Sequence, residues 1–94
     1  MADMALLEAQ VEGQVQGVFF RSFVNNHASR LNLTGYVANL PDGRSMEVFA
    51  EGDRGKLLDL LQLLKKGPPG AKVERVNAKW SEFEGRFSQF KVRY

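Results

Sequence analysis

The hydrophobic period switches between two and 3.6 residues several times along this 94-residue chain, and those switches constrain the fold more than any other feature. Leu7, Ala9 and Val11 alternate with Glu8, Gln10 and Glu12, the pattern of a half-buried strand ending near Gly13. Phe20, Phe23, Val24, Ala28 and Leu31 then recur at helical spacing. Tyr36 to Leu40 reads as a second strand. Pro41-Asp42-Gly43 is a turn, because proline presets one dihedral and glycine accepts a positive one. Met46, Val48 and Ala50 alternate with Glu47, Phe49 and Glu51, a third strand hairpinned to the second. Leu57, Leu60, Leu61 and Leu64 mark a second helix. Asp53 lies at its start and Lys65-Lys66 at its end, each sign matched to the helix dipole. Gly67-Pro68-Pro69-Gly70 stops it. Val73 to Trp80 is expected as a fourth strand and Phe87 to Tyr94 as a fifth.

The order β-α-β-β-α-β plus a C-terminal strand predicts an α+β protein, a ferredoxin-like split βαβ sandwich. Two helices cover one face of a mostly antiparallel sheet, and the other face is partly exposed. The length fits one domain over residues 1–94, and 44% hydrophobic residues suffice for a core. Many unrelated activities use this architecture, so it names no function.

Composition narrows the chemistry. The chain has no cysteine, which removes thiol catalysis, disulfides, iron–sulfur clusters and cysteine zinc sites. A single histidine rules out a His-rich metal site. No apolar run approaches the roughly 20 residues that span a bilayer, and the start lacks the pattern of a secretory signal. A cytoplasmic protein without membrane contact is expected. The net charge of +2 arises from scattered, interleaved charges, so no nucleic-acid partner is expected. No strand has the aromatic pattern of an RNA-binding sheet of this architecture.

The informative stretch is Gly13-Gln14-Val15-Gln16-Gly17-Val18-Phe19-Phe20-Arg21, between the first strand and the first helix. Two glycines let the backbone curl and approach a ligand closely. A loop feeding a helix N-terminus presents unpaired N–H groups within a positive potential. Arg21 adds a forked cation suited to phosphate oxygens. The same glycines also fit a plain strand-to-helix turn beside a solvated arginine. The loop is neither a Walker loop nor a Gly-x-Gly-x-x-Gly dinucleotide motif.

A longer pattern carries more. The Gly13–Arg21 stretch, Gly35-Tyr36-Val37-Ala38-Asn39-Leu40-Pro41-Asp42-Gly43, and the ending from Trp80-Ser81-Glu82 through Gly85 to Phe90 and Tyr94 together resemble the acylphosphatase family. The resemblance runs from about Leu7 to Tyr94. It implies hydrolysis of acyl phosphates, small-molecule substrates, to a carboxylate and inorganic phosphate. No metal or other cofactor is implied. Phosphate is product and expected competitor. By position the resemblance puts the phosphate loop on Gly13, Gln14, Val15, Gln16, Gly17, Val18 and Phe19, the essential arginine on Arg21 and the water-positioning asparagine on Asn39. Between Gly43 and Glu51-Gly52 the chain is one residue longer than the usual family spacing, at Arg44-Ser45-Met46, and a hairpin bulge is expected to absorb it.

The alternative function is a non-catalytic phosphate- or anion-binding module of the same fold, which needs no water-positioning Asn39. An acylphosphatase-like domain of a larger carbamoyl-transfer maturation enzyme is disfavoured, since no zinc-finger cysteines are present. Other residues have structural readings. His27 sits at the edge of the apolar stripe of the first helix. Gln16 braces the loop through its side chain, and Asn25 and Asn26 are solvated. Phe19, Phe20, Phe23, Phe49 and Phe90 form core or cradle wall, Trp80 and Phe83 fill core or strand-end positions, and Asp42 serves the turn. Of six leucines from Leu57 to Leu64, Leu58 or Leu63 is partly exposed. The acyl tail extends into solvent. Lys72, Lys79, Lys91 and Arg93 on the last two strands discourage edge pairing, consistent with a monomer.

Overall fold

A computed structural model describes residues 3–94; Met1 and Ala2, where the expected domain begins, lie outside the described residues. The elements run β1 (Met4–Gln14), α1 (Phe20–Arg30), β2 (Thr34–Asn39), β3 (Ser45–Asp53), α2 (Arg54–Lys66), β4 (Lys72–Glu82) and β5 (Phe90–Arg93). They form one sheet of order β4-β1-β3-β2-β5. Three neighbouring pairs are antiparallel, and β5 joins β2 in parallel. Inserting β3 between β1 and β2 is what splits the βαβ unit. The expected architecture is present, and the lysine-bearing strands β4 and β5 are the sheet's two edges.

The alternations chose the faces. Leu7, Ala9 and Val11 of β1 and Met46, Val48 and Ala50 of β3 all point into the core. Phe20, Val24 and Ala28 bury one stripe of α1, and Leu57, Leu60, Leu61 and Leu64 bury one of α2. Helix α1 packs on β2 and β5, and α2 on β1, β3 and β4. Of the two surplus leucines Leu58 is exposed and Leu63 half-buried. Trp80 packs against the core at its margin, and Phe83 is exposed in the loop after β4. Asp53 caps α2, accepting from the Lys56 N–H at 3.1 Å. Lys65 and Lys66 occupy its last turn.

Four expectations need correction. The fifth strand spans only Phe90–Arg93 rather than starting at Phe87. The reason is Glu51, which is 1% exposed and accepts from three consecutive backbone N–H groups, of Glu84, Gly85 and Arg86, at 2.7, 3.0 and 2.9 Å. That grip folds the chain over one corner of the outer sheet face instead of extending it along β2. Phe49 belongs to neither core nor cradle: it lies on the outer face, stacked on Tyr36 with centroids 5.1 Å apart. The Tyr36 hydroxyl donates to Glu47 at 2.8 Å, and burial together with that carboxylate pushes its pKa up to about 12. Asn25 is half-buried rather than solvated, and its Oδ1 is buried without a partner. Finally, the β2–β3 ladder keeps one register from Thr34↔Glu51 to Asn39↔Met46, so the additional residue sits in the connecting loop. The irregularity lies elsewhere, between Glu12 and Gly13 against β4.

Candidate active site

The site is assembled where β1, the end of β2 and the start of α1 meet. Gly13 and Gln14 close β1. Gly13 has φ +137, and a Cβ there would collide with the Lys72 carbonyl of β4, so the irregularity requires glycine. Its N–H donates to the Arg44 carbonyl at 3.0 Å. The chain then leaves the sheet through Val15 to Phe19. Gly17 takes φ +73 with nothing within 4 Å of a would-be Cβ, so glycine is needed for conformation rather than space. Among the described residues, the N–H groups of Val15 to Phe19 meet no backbone acceptor. The first turn of α1 adds donors that lack intrahelical partners, and it carries no acidic residue and no side-chain cap.

Arg21 stands in that first turn, half-buried, its guanidinium 4.7 Å from the centre of the Tyr94 ring. It forms no ion pair with another described residue. Asn39 ends β2. It shares a face with Val37 by strand alternation, so its side chain points beneath the start of α1. Its Oδ1 is buried with no hydrogen-bond partner. A buried orphan acceptor costs about 1–3 kcal/mol unless something donates to it.

Gln16 ties the two halves together. Its Nε2 donates to the Leu40 and Ser45 carbonyls, each at 2.9 Å, clamping the loop to the hairpin that carries Asn39. This is the bracing role expected of it. Asp42 holds the same hairpin as a turn residue, accepting from the Arg44 N–H at 3.0 Å and the Ser45 hydroxyl at 2.6 Å. Those bonds hold its carboxyl below the usual range.

A cavity of about 320 Å³ opens here, lined by Val15, Gly17, Phe19, Phe20, Arg21, Ser22, Asn39 and Tyr94. Of the residues singled out from sequence, Val15, Gly17, Phe19, Phe20, Arg21 and Asn39 therefore share one cavity. Gly13, Gln14, Gln16 and Val18 do not line it; Val18 packs against the core. Ser22 and Tyr94 were not singled out as site residues. Ser22 follows Arg21 in the chain, and Tyr94 reaches the cavity only through the sheet. His27 lies outside the cavity, its ring 4.6 Å from that of Phe23. The lining holds one cationic side chain, no side-chain carboxylate, and an asparagine whose amide oxygen is buried. Chemically, such a lining suits an anion better than a cation. Among the described residues no three His, Asp or Glu side chains converge as metal ligands, and no helix is long and apolar enough to cross a membrane.

Comparison with known proteins shows the family. The acylphosphatase family model matches residues 7–92. An acylphosphatase of Dehalococcoides mccartyi is 47% identical over 91 residues, covering 97% of this chain and all of that protein. The solved acylphosphatase of Coxiella burnetii superposes with a TM-score of 0.89 at 40% identity, covering 97% of this chain and 94% of that one. The acylphosphatase of Bacillus subtilis gives 0.90 at 34% identity, covering 96% and 99%.

Proposed function

The chain belongs to the acylphosphatase family and hydrolyses acyl phosphates, and from that premise we propose that Arg21 and the Val15–Phe19 loop hold the phosphoryl group while Asn39 positions the attacking water. The observation that carries this division of labour is that Asn39, whose buried Oδ1 has no partner among the described residues, lines the same cavity as Arg21. An amide oxygen accepts a hydrogen from water and fixes where its lone pairs point. The forked guanidinium and the loop donors spread over the non-bridging phosphoryl oxygens, where charge must be held.

The reaction balances without a protein base. Water oxygen attacks phosphorus, and the bond from phosphorus to the acyl oxygen breaks with its electron pair left on the departing carboxylate. One water proton passes to a phosphoryl oxygen, giving dihydrogen phosphate. The carboxylate is a weakly basic leaving group and needs no general acid. Positioning and electrostatics therefore supply the catalysis. The same reading assigns residues 1–94 to one domain working without a metal, as a cytoplasmic monomer whose product phosphate competes with substrate. Lysines on both edge strands support the monomer.

The test is hydrolysis of benzoyl phosphate in excess chelator, wild type beside Arg21→Ala, with inorganic phosphate as competitor. Metal-independent turnover inhibited by phosphate, and a loss of at least about 10²–10³ in Arg21→Ala, are expected. Retained turnover in Arg21→Ala would remove Arg21 from the site. Phosphate binding without turnover in the wild type would leave an anion-binding module.

A further inference from the structure

We infer that Phe19 determines acyl-group specificity, so that the site favours acyl phosphates with an aromatic or bulky apolar acyl group over small ones. The inference rests on the acyl-phosphate reading above and departs from the expectation that the acyl tail extends into solvent.

Phe19 is anomalous twice. It is 84% exposed, the ring giving the core almost nothing. It also adopts the left-handed conformation, φ 60° and ψ 24°, which penalises an L side chain by roughly 1–2 kcal/mol. Two residues earlier, the same region of backbone space is filled by Gly17, as steric reasoning expects. Neither backbone nor core gains from a phenyl ring at position 19. Yet Phe19 lines the cavity, and so does Tyr94, itself fully exposed, its ring centre 4.7 Å from the Arg21 guanidinium.

The direction of the reaction places the acyl group. In-line displacement sets the leaving group opposite the attacking water. Asn39 Oδ1, the proposed water acceptor, is buried, whereas Phe19 and Tyr94, which line the same cavity, are exposed. The carboxylate therefore departs through the open end, where Phe19 and Tyr94 stand. A flat acyl group attached to that oxygen meets aromatic surface as it leaves the phosphate cradle, and aromatic pairing favours it. An acetyl group is too short to cover either ring.

The experiment compares kcat/KM for benzoyl phosphate and acetyl phosphate in wild type, Phe19→Ala and Phe19→Tyr. Alanine carries a Cβ and meets the same left-handed backbone, so the loop is not loosened as it would be by glycine. The substrates' own reactivities cancel when their ratio is compared between variants. Phe19→Ala is expected to lower the benzoyl-to-acetyl ratio about three- to tenfold, chiefly through KM, and Phe19→Tyr to restore it. An unchanged ratio overturns the inference, including the case in which both substrates fall equally, because that is a loop defect. Absence of turnover on both substrates by wild type would instead overturn the acyl-phosphate reading, and the inference with it.

Discussion

Two loops at opposite ends of β3 confront the same physical problem and solve it differently. At 84–86 three successive N–H groups converge on an acceptor the protein supplies itself, the buried Glu51 carboxylate. At 15–19 the N–H groups meet no backbone acceptor among the described residues, and Val15, Gly17 and Phe19 line a cavity with no side-chain carboxylate in its lining. The two helix starts repeat the contrast. Asp53 caps α2, whereas α1 begins at Phe19 with no side-chain acceptor and no acid in its first turn. Donors closed by an internal acid give structure. Donors left open beside a lone arginine give a place for someone else's anion. The comparison is useful because each loop is a control for the other.

The largest effects should fall on opposite observables. Asn39→Ala is expected to lower kcat by about 10²–10³ while leaving the melting temperature unchanged or higher, since the Oδ1 it removes bonds to nothing in the folded chain. Glu51→Ala should do the reverse. It removes a buried carboxylate that accepts three backbone hydrogen bonds and is expected to destabilise by about 3 kcal/mol in urea unfolding, with kcat of the folded protein retained. If Asn39→Ala were destabilising and catalytically silent, the distinction between an open and a closed loop would fail at its central residue.

A third test asks whether the open loop is an anion site at equilibrium. Inorganic phosphate at tenfold over its dissociation constant should stabilise the native state by about 1.4 kcal/mol through mass action, raising the melting temperature on the order of 5–10 °C for a domain this size. Arg21→Ala should abolish that shift. A Glu51→Gln variant should keep it, because phosphate has no access to the closed loop. A shift that survived Arg21→Ala would place the anion elsewhere.

How much of this was legible in the sequence follows the same division. Local periodicity carried the sheet faces and both helices, since Val24 and Ala28, or Leu57 and Leu61, need only their neighbours to reveal a buried stripe. Gln16 and Asp42 were legible because each acts beside a tight loop whose composition already implies it. Arg21 and Asn39 were reached through motif order, not spacing, because they lie 18 positions apart and are brought together only by the sheet. Glu51 was read as an ordinary outward residue of an alternating strand, and outward is where it points; what buries it is a loop more than thirty residues downstream. The same long-range grip misled the reading of Phe87 as strand. Phe19 was legible as part of the cradle but not as an exposed, strained ring, because a backbone dihedral leaves no trace in composition when the residue is not glycine. Asn25 gave no signal, as one more polar residue on an amphipathic helix.

The smallest expected effect concerns the helix starts, where the contrast is cleanest because only one side chain is involved. Asp53→Ala removes the acceptor of the Lys56 N–H and should destabilise by about 1 kcal/mol, read as a lower urea midpoint with the m-value unchanged. Asp53→Asn should recover most of that, since an amide oxygen caps nearly as well. Neither change should alter kcat/KM or the phosphate-induced shift, because the capped helix begins at the far end of β3 from the cavity. The uncapped start of α1 has no such residue to delete. Its proposed partner is the phosphoryl group, so the counterpart of Asp53→Ala there is withdrawal of phosphate from the buffer. If the two manoeuvres gave comparable losses of stability, a helix N-terminus would have been shown to accept an internal carboxylate or an external phosphate on similar terms.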